Sequence, residues 1–148
     1  MSEEKAEAAK NTMRVELTRT GTMAFKATSD DGIEVIVDGP AKYGGEGRGM
    51  RPMQLFLVSL AGCSSIDVVL ILKKQKQRID DHKVIVTGTR SDAIPSVYEK
   101  VHLAFELKGE ILDKKLQRAV GLAVEKYCSV ASMLLPEVVV TWEAKLVE

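Results

Sequence analysis

This sequence has little of what usually announces chemistry. Among its 148 residues are two cysteines, two histidines, one tryptophan and four prolines. Cys63, Cys128, His82 and His102 are spread along the chain with no Cys-x-x-Cys spacing, too sparse a set for structural zinc, so no metal is expected. Charge of one sign is absent: 21 basic residues balance 21 acidic ones, which argues against a nucleic-acid partner held by phosphate attraction. The first ten residues, MSEEKAEAAK, are charged and have no apolar run, unlike a secretion signal, so a cytoplasmic location is expected. The glycine-rich loop Gly39–Met50 lacks a third correctly spaced glycine and a following Gly-Lys-Ser/Thr, and reads as a flexible connector, not a phosphate loop. In such a chain two cysteines are expected to be reactive or buried, not a permanent staple.

One long apolar run stands out, Arg51–Arg78. Pro52 suits a first helical turn, and the cationic run Lys73 to Arg78 suits the negative end of a helix. Its leucines, valines and isoleucines point all round a helix, so other structure should wrap it on nearly every side. Leu55–Leu72 is long enough to span a bilayer, but Asp67 and three serines inside it argue against a membrane. One small sheet cannot cover such a helix, which points to a symmetric homodimer.

Residues 1–12 read as a flexible tail and 13–148 as a single domain. Three strands, Met13–Thr18, Met23–Thr28 and Ile33–Asp38, form an antiparallel meander, the last two joined through Asp31-Gly32. After the helix, Lys83–Arg90 and Val97–Lys108 are strands, with Val101, Leu103, Phe105 and Leu107 on a buried face. His82 and His102 sit on these strands or at their start, facing solvent. Asp113 caps a second helix whose apolar stripe is Leu112, Leu116, Ala119, Val120, Ala123 and Tyr127. Val130–Leu135 adds a short helical turn, and Val138–Leu146 a last strand. The order βββ-α-ββ-α-β indicates an α+β fold.

Cys63 lies mid-helix among Gly62, Ser64 and Ser65, and Cys128 follows the second helix. A Cys-His hydrolase needs a base beside the thiol, and nothing in the sequence puts either histidine there. Two thiols brought together by folding can reduce a peroxide through a sulfenic acid and a disulfide; two inert buried cysteines are the alternative. Asp67, one turn after Cys63, would disfavour a thiolate unless an arginine lies between them.

Three segments carry a family resemblance: Met-Arg-Pro-Met-Gln-Leu-Phe at 50–56, Leu-Ala-Gly-Cys-Ser-Ser-Ile-Asp at 60–67 and Glu-Lys-Tyr-Cys-Ser-Val at 125–130. Together they resemble the OsmC/Ohr family of osmotically induced and organic-hydroperoxide-resistance proteins, and most of all its less-characterised OsmC-like branch. The resemblance implies an intertwined homodimer with long central helices. It also implies reduction of organic hydroperoxides, restored by an external dithiol reductant and needing no cofactor. By motif, Cys63 would attack the peroxide and Cys128 would resolve it. Where studied peroxidases of the family carry a glutamate after the helix-starting proline, this chain has Met53, and the matching arginine position falls near Met23. Arg51, Arg48 and Arg19, with Glu46 or Asp67, are the candidate thiolate-activating substitutes. Met53 and Phe56 are candidate pocket-lining residues. The alternative is a non-enzymatic dimer that binds a small hydrophobic ligand in the interface pocket.

Overall fold

A computed structural model describes residues 11–148. The expected tail therefore lies outside the described residues except for its last two positions. The fold is mixed α+β, as expected, with two three-stranded sheets and three α-helices among the described residues. The chain divides into two compact units, one ending at Leu55 and the other running from Phe56 to Glu148.

In the first unit, β1 (Val15–Arg19), β2 (Phe25–Ser29) and β3 (Glu34–Val37) form the antiparallel meander in the order of the sequence. Gly32, at φ 83, takes the left-handed position that closes the β2–β3 turn. The glycine-rich segment after β3 is not a loose connector. It closes around Asp38, which is 2% exposed and accepts backbone N–H groups from Gly39 (2.8 Å), Glu46 (3.0 Å) and Arg48 (3.0 Å). A Cβ at Gly45 would run into the Gly39 carbonyl, and one at Gly49 into the Ile36 carbonyl. Those glycines are there because backbone passes against backbone. The amides that a phosphate would need already serve a carboxylate, and the Arg48 amide foremost holds the Asp38 pKa below the usual carboxylate value against the opposing effect of burial.

The long helix α1 (Pro52–Lys74) has its start fixed by the sequence around Pro52. Gln54 turns back so that its Oε1 accepts the Arg51 backbone N–H at 2.9 Å, half of a capping box. Its end comes earlier than Arg78. Lys76 sits at φ 57, its N–H bonds the Lys73 carbonyl, and the Gln77 N–H bonds the Leu72 carbonyl. That is a Schellman stop with lysine in the place glycine usually takes. By length and hydropathy alone α1 would also fit a membrane span. Yet one stripe of it, Leu60, Ser64, Val68 and Leu72, is fully enclosed. The buried Ser64 hydroxyl donates to the Leu60 carbonyl at 2.8 Å, so it leaves no polar group unpaired. Val58, Ile66, Val69 and Leu70, on other sides, are exposed, Ile66 at 64%.

The second sheet pairs β4 (Arg78–Arg90) with β5 (Tyr98–Glu110) antiparallel, and β6 (Val139–Leu146) runs parallel to β5. β4 begins ahead of the expected Lys83. Arg78 anchors its charged start through Asp80 (2.9 Å) and Glu110 (3.0 Å), and a register shift between Ile79 and Asp81 leaves both aspartates outside. Central β5 buries Val101, Leu103, Phe105 and Leu107, the face expected.

Between β5 and β6 come α2 (Asp113–Leu122), a π-turn (Ala123–Tyr127) and α3 (Ser129–Leu134). Leu116, Ala119, Val120 and Ala123 are fully buried, but the ends of the expected stripe, Leu112 and Tyr127, are exposed. Leu112 is itself the extended cap residue, in the place expected of Asp113. The Asp113 carboxylate instead accepts from the Gln117 side chain at 3.3 Å. The π-turn carries Tyr127 off the stripe, since its wider winding breaks the 3.6-residue spacing.

Lys76→Gly should stabilise the fold by about 0.5–1 kcal/mol in denaturant unfolding. The left-handed lysine costs roughly 1–2 kcal/mol, and the added glycine freedom in the unfolded chain returns about half of that. Leu60→Ala should cost about 2–5 kcal/mol in the same measurement. An unchanged or lowered midpoint for Lys76→Gly would contradict this account of how α1 ends.

Candidate functional site

Cys63 is half-buried in the middle of α1, and Cys128 is fully buried in the link from the π-turn to α3. The winding there is what sets Cys128 in place. Its N–H bonds the Ala123 carbonyl at 2.8 Å, one residue further back than in an α-helix, and its backbone is then extended (φ −67, ψ 112). That makes it the N-cap of α3, with Sγ accepting the Ala131 N–H at 3.4 Å. The two free thiols lie close enough for Cys63 to shift the titration of Cys128.

Burial pushes the Cys128 thiol up to about 11, and the neighbouring Cys63 pushes the same way. The amides of Ala131 and Val130 pull down but do not win. At neutral pH Cys128 therefore keeps its proton. In the second unit Arg78 is held by Asp80 and Arg90 by the Ser96 carbonyl, and neither they nor Arg118 is hydrogen-bonded to Cys63.

The other expected site residues are placed as follows. Arg19 clasps the Thr22 carbonyl (3.0 Å), and Arg48 reaches the Thr20 carbonyl (3.2 Å) and Glu46 (3.4 Å), all within the first unit. Arg51 is exposed at the start of α1 beside a half-buried Met53. The Phe56 ring lies 5.9 Å from that of Tyr98, tilted by 32°, and so pins the start of α1 to β5. Asp67 lines a cleft with Lys74, Gln75, Arg118 and Tyr127. His102 faces outward, as expected, bonded to Thr141 (2.7 Å) and Glu143 (3.4 Å). Among the described residues no three His, Cys, Asp or Glu side chains gather as a metal site would require.

His82 is a correction. It is half-buried, not solvent-facing, and with Val84 and Val86 of β4 it lines an apolar groove of about 590 Å³ along the Val58, Gly62, Ile66 and Val69 side of α1. Both of its ring nitrogens are buried without a hydrogen-bond partner. Burial pushes its pKa below the usual histidine value, with Asp81 opposing. The signal was in the sequence, because His82 shares the alternation of Val84 and Val86 and so belongs to their face.

Residues 45–143 match the family model described as OsmC-like protein. The chain is 36% identical over 126 residues to protein YhfA of Escherichia coli strain K12, across 84% of this chain and 91% of that one. A crystal structure of a hypothetical protein from Aquifex aeolicus VF5 is similar at 34% identity and a TM-score of 0.79, across 93% of this chain and 99% of that one. The organic hydroperoxide resistance protein OhrB of Bacillus subtilis shares the fold at 24% identity and a TM-score of 0.63, across 90% and 98%.

His82→Leu should raise stability by about 1 kcal/mol at neutral pH by removing two orphaned buried nitrogens. The gap should widen below about pH 6.5, the ordinary histidine value. There the unfolded chain takes up a proton that folded His82, with its lowered pKa, resists, so the wild type loses stability as pH falls. Urea midpoints for both proteins across pH 5–8 measure this, and parallel curves would contradict it.

Proposed function

The chain belongs to the OsmC-like protein family, and we propose that it is a cytoplasmic, homodimeric thiol peroxidase that reduces organic hydroperoxides. The observation that carries this reading is the proximity of two free thiols far apart in sequence, close enough for one to shift the other's titration. The less buried Cys63 is the nucleophile. Its thiolate attacks one peroxide oxygen: an S–O bond forms, the O–O bond breaks, and the alkoxide leaves as the alcohol after taking a proton. Cys63 becomes a sulfenic acid. The Cys128 sulfur then displaces hydroxide from it, giving the disulfide and water. An external dithiol returns both thiols by exchange and is itself oxidised to a disulfide.

Cys128 suits the second role. Kept protonated by burial beside Cys63, it does not compete as a nucleophile for the peroxide and waits for the sulfenic acid. The exposed apolar side of α1, with Val58, Ile66 and Val69, is the surface a second copy covers.

A second reading has its own support. The apolar groove of about 590 Å³ could hold a small hydrophobic ligand with no redox chemistry at all.

Consumption of cumene hydroperoxide with dithiothreitol separates the two. The wild type should turn over, Cys63→Ser should fall to the uncatalysed rate, and Cys128→Ser should stop at a sulfenic acid that dimedone traps. Disulfide formation should speed up about tenfold per pH unit from about pH 7 to 9, because the reacting Cys128 thiolate is scarce below its raised pKa. Equal rates for wild type and Cys63→Ser would overturn the peroxidase and leave the ligand-binding reading.

A further inference from the structure

A cleft of about 450 Å³ opens between the last turns of α1 and α2, on the stripe of α1 that carries Cys63. Its polar groups are Asp67, Lys74 and Gln75 from the end of α1, Arg118 from α2 and Tyr127 from the π-turn. Its walls are Leu70, Ile71 and Leu122. Among the described residues Asp67, Lys74 and Arg118 form no ion pair, although both signs of charge line one cavity. A second observation is independent of these charges. The Oε1 of Gln75 is buried and has no hydrogen-bond partner. Its backbone carbonyl, by contrast, accepts from Gln77 Nε2 (2.9 Å) and Lys115 Nζ (3.4 Å). A buried amide oxygen without a donor is unusual in a folded protein.

The pattern selects among ligands. A simple anion would meet Lys74 and Arg118 but also the Asp67 carboxylate and the Gln75 oxygen. A simple cation would meet those two but also two positive side chains. We propose that the cleft binds a small zwitterion of the α-amino-acid class with an unbranched apolar side chain. Its carboxylate pairs with Arg118 and Lys74 and accepts the Tyr127 hydroxyl. Its ammonium donates to Asp67 and to Gln75 Oε1, which gains the partner it lacks. Its side chain lies on Leu70, Ile71 and Leu122. The site stands on the cleft alone, whether or not the thiols reduce hydroperoxides.

The test is calorimetric titration of the full chain, with no peroxide or reductant present, using norleucine, hexanoate and pentylamine. The last two are norleucine without its ammonium and without its carboxylate. Norleucine should bind at least about tenfold more tightly than either. Arg118→Gln should weaken norleucine and hexanoate about tenfold and leave pentylamine unchanged; Asp67→Asn should do the reverse, weakening norleucine and pentylamine. Both variants keep the buried stripe of α1 intact, and matching circular dichroism confirms their fold. Norleucine binding no more tightly than hexanoate or pentylamine, or binding unaffected by either substitution, would overturn the proposal.

Discussion

A helix that is apolar on every side, but enclosed by its own unit along one stripe only, sets the direction in which Cys63 points. Leu60, Ser64, Val68 and Leu72 fix the rotation of α1. Cys63, one residue from Ser64, is turned from their stripe by about 100° and stays partly accessible. A rotation of α1 by one residue would drive Asp67 and the thiol itself into the core in one sense, or Lys73 in the other. Steep burial at four positions thus decides where a fifth, reactive one lies.

The partner thiol is set by a different device. One extra residue in the turn after α2 widens the winding, bonds Cys128 N–H back to Ala123, and ends the helix with the sulfur at the start of α3. The two cysteines consequently differ. One is half-buried on a long helix; the other is sealed, hydrogen-bonded from the backbone and held protonated. In the proposed peroxidase that asymmetry would give the thiol pair an order of events, with the accessible sulfur reacting first and the sealed one following. Asp38 meets its own burial in the opposite way: three amides from a glycine-rich turn keep it charged. Its contribution to stability is complete above the ordinary carboxylate value near 4 and is lost as pH falls through its lowered pKa.

Much of this was legible from spacing. The meander, the long helix starting at Pro52, the buried face of β5 and the inward face of α2 all follow from period and capping chemistry. Most of the rest was hidden by backbone irregularities that no side-chain pattern announces. Lys76 stops α1 early by taking a left-handed conformation that lysine rarely adopts. The register shift beside Asp80 lets a charged run join β4. The π-turn pulls Tyr127 out of the stripe it was read into, and the parallel pairing of β6 with β5 depends on contacts remote in sequence. The motif residues named Cys63 and Cys128, but their contact required the fold. The inward face of His82 is readable from its alternation with Val84 and Val86, although a polar residue next to Asp81 suggests water.

The account stands or falls on the two sulfurs reacting with each other inside one chain. The most direct measurement is the intact mass of the reduced protein after one equivalent of alkyl hydroperoxide, followed by peptide mapping without reductant. The expected product is a monomer-mass chain lighter by two hydrogens, with the Cys63 and Cys128 peptides joined to each other. An unchanged mass, oxygen atoms retained on Cys63 alone, or a disulfide between two chains would contradict it.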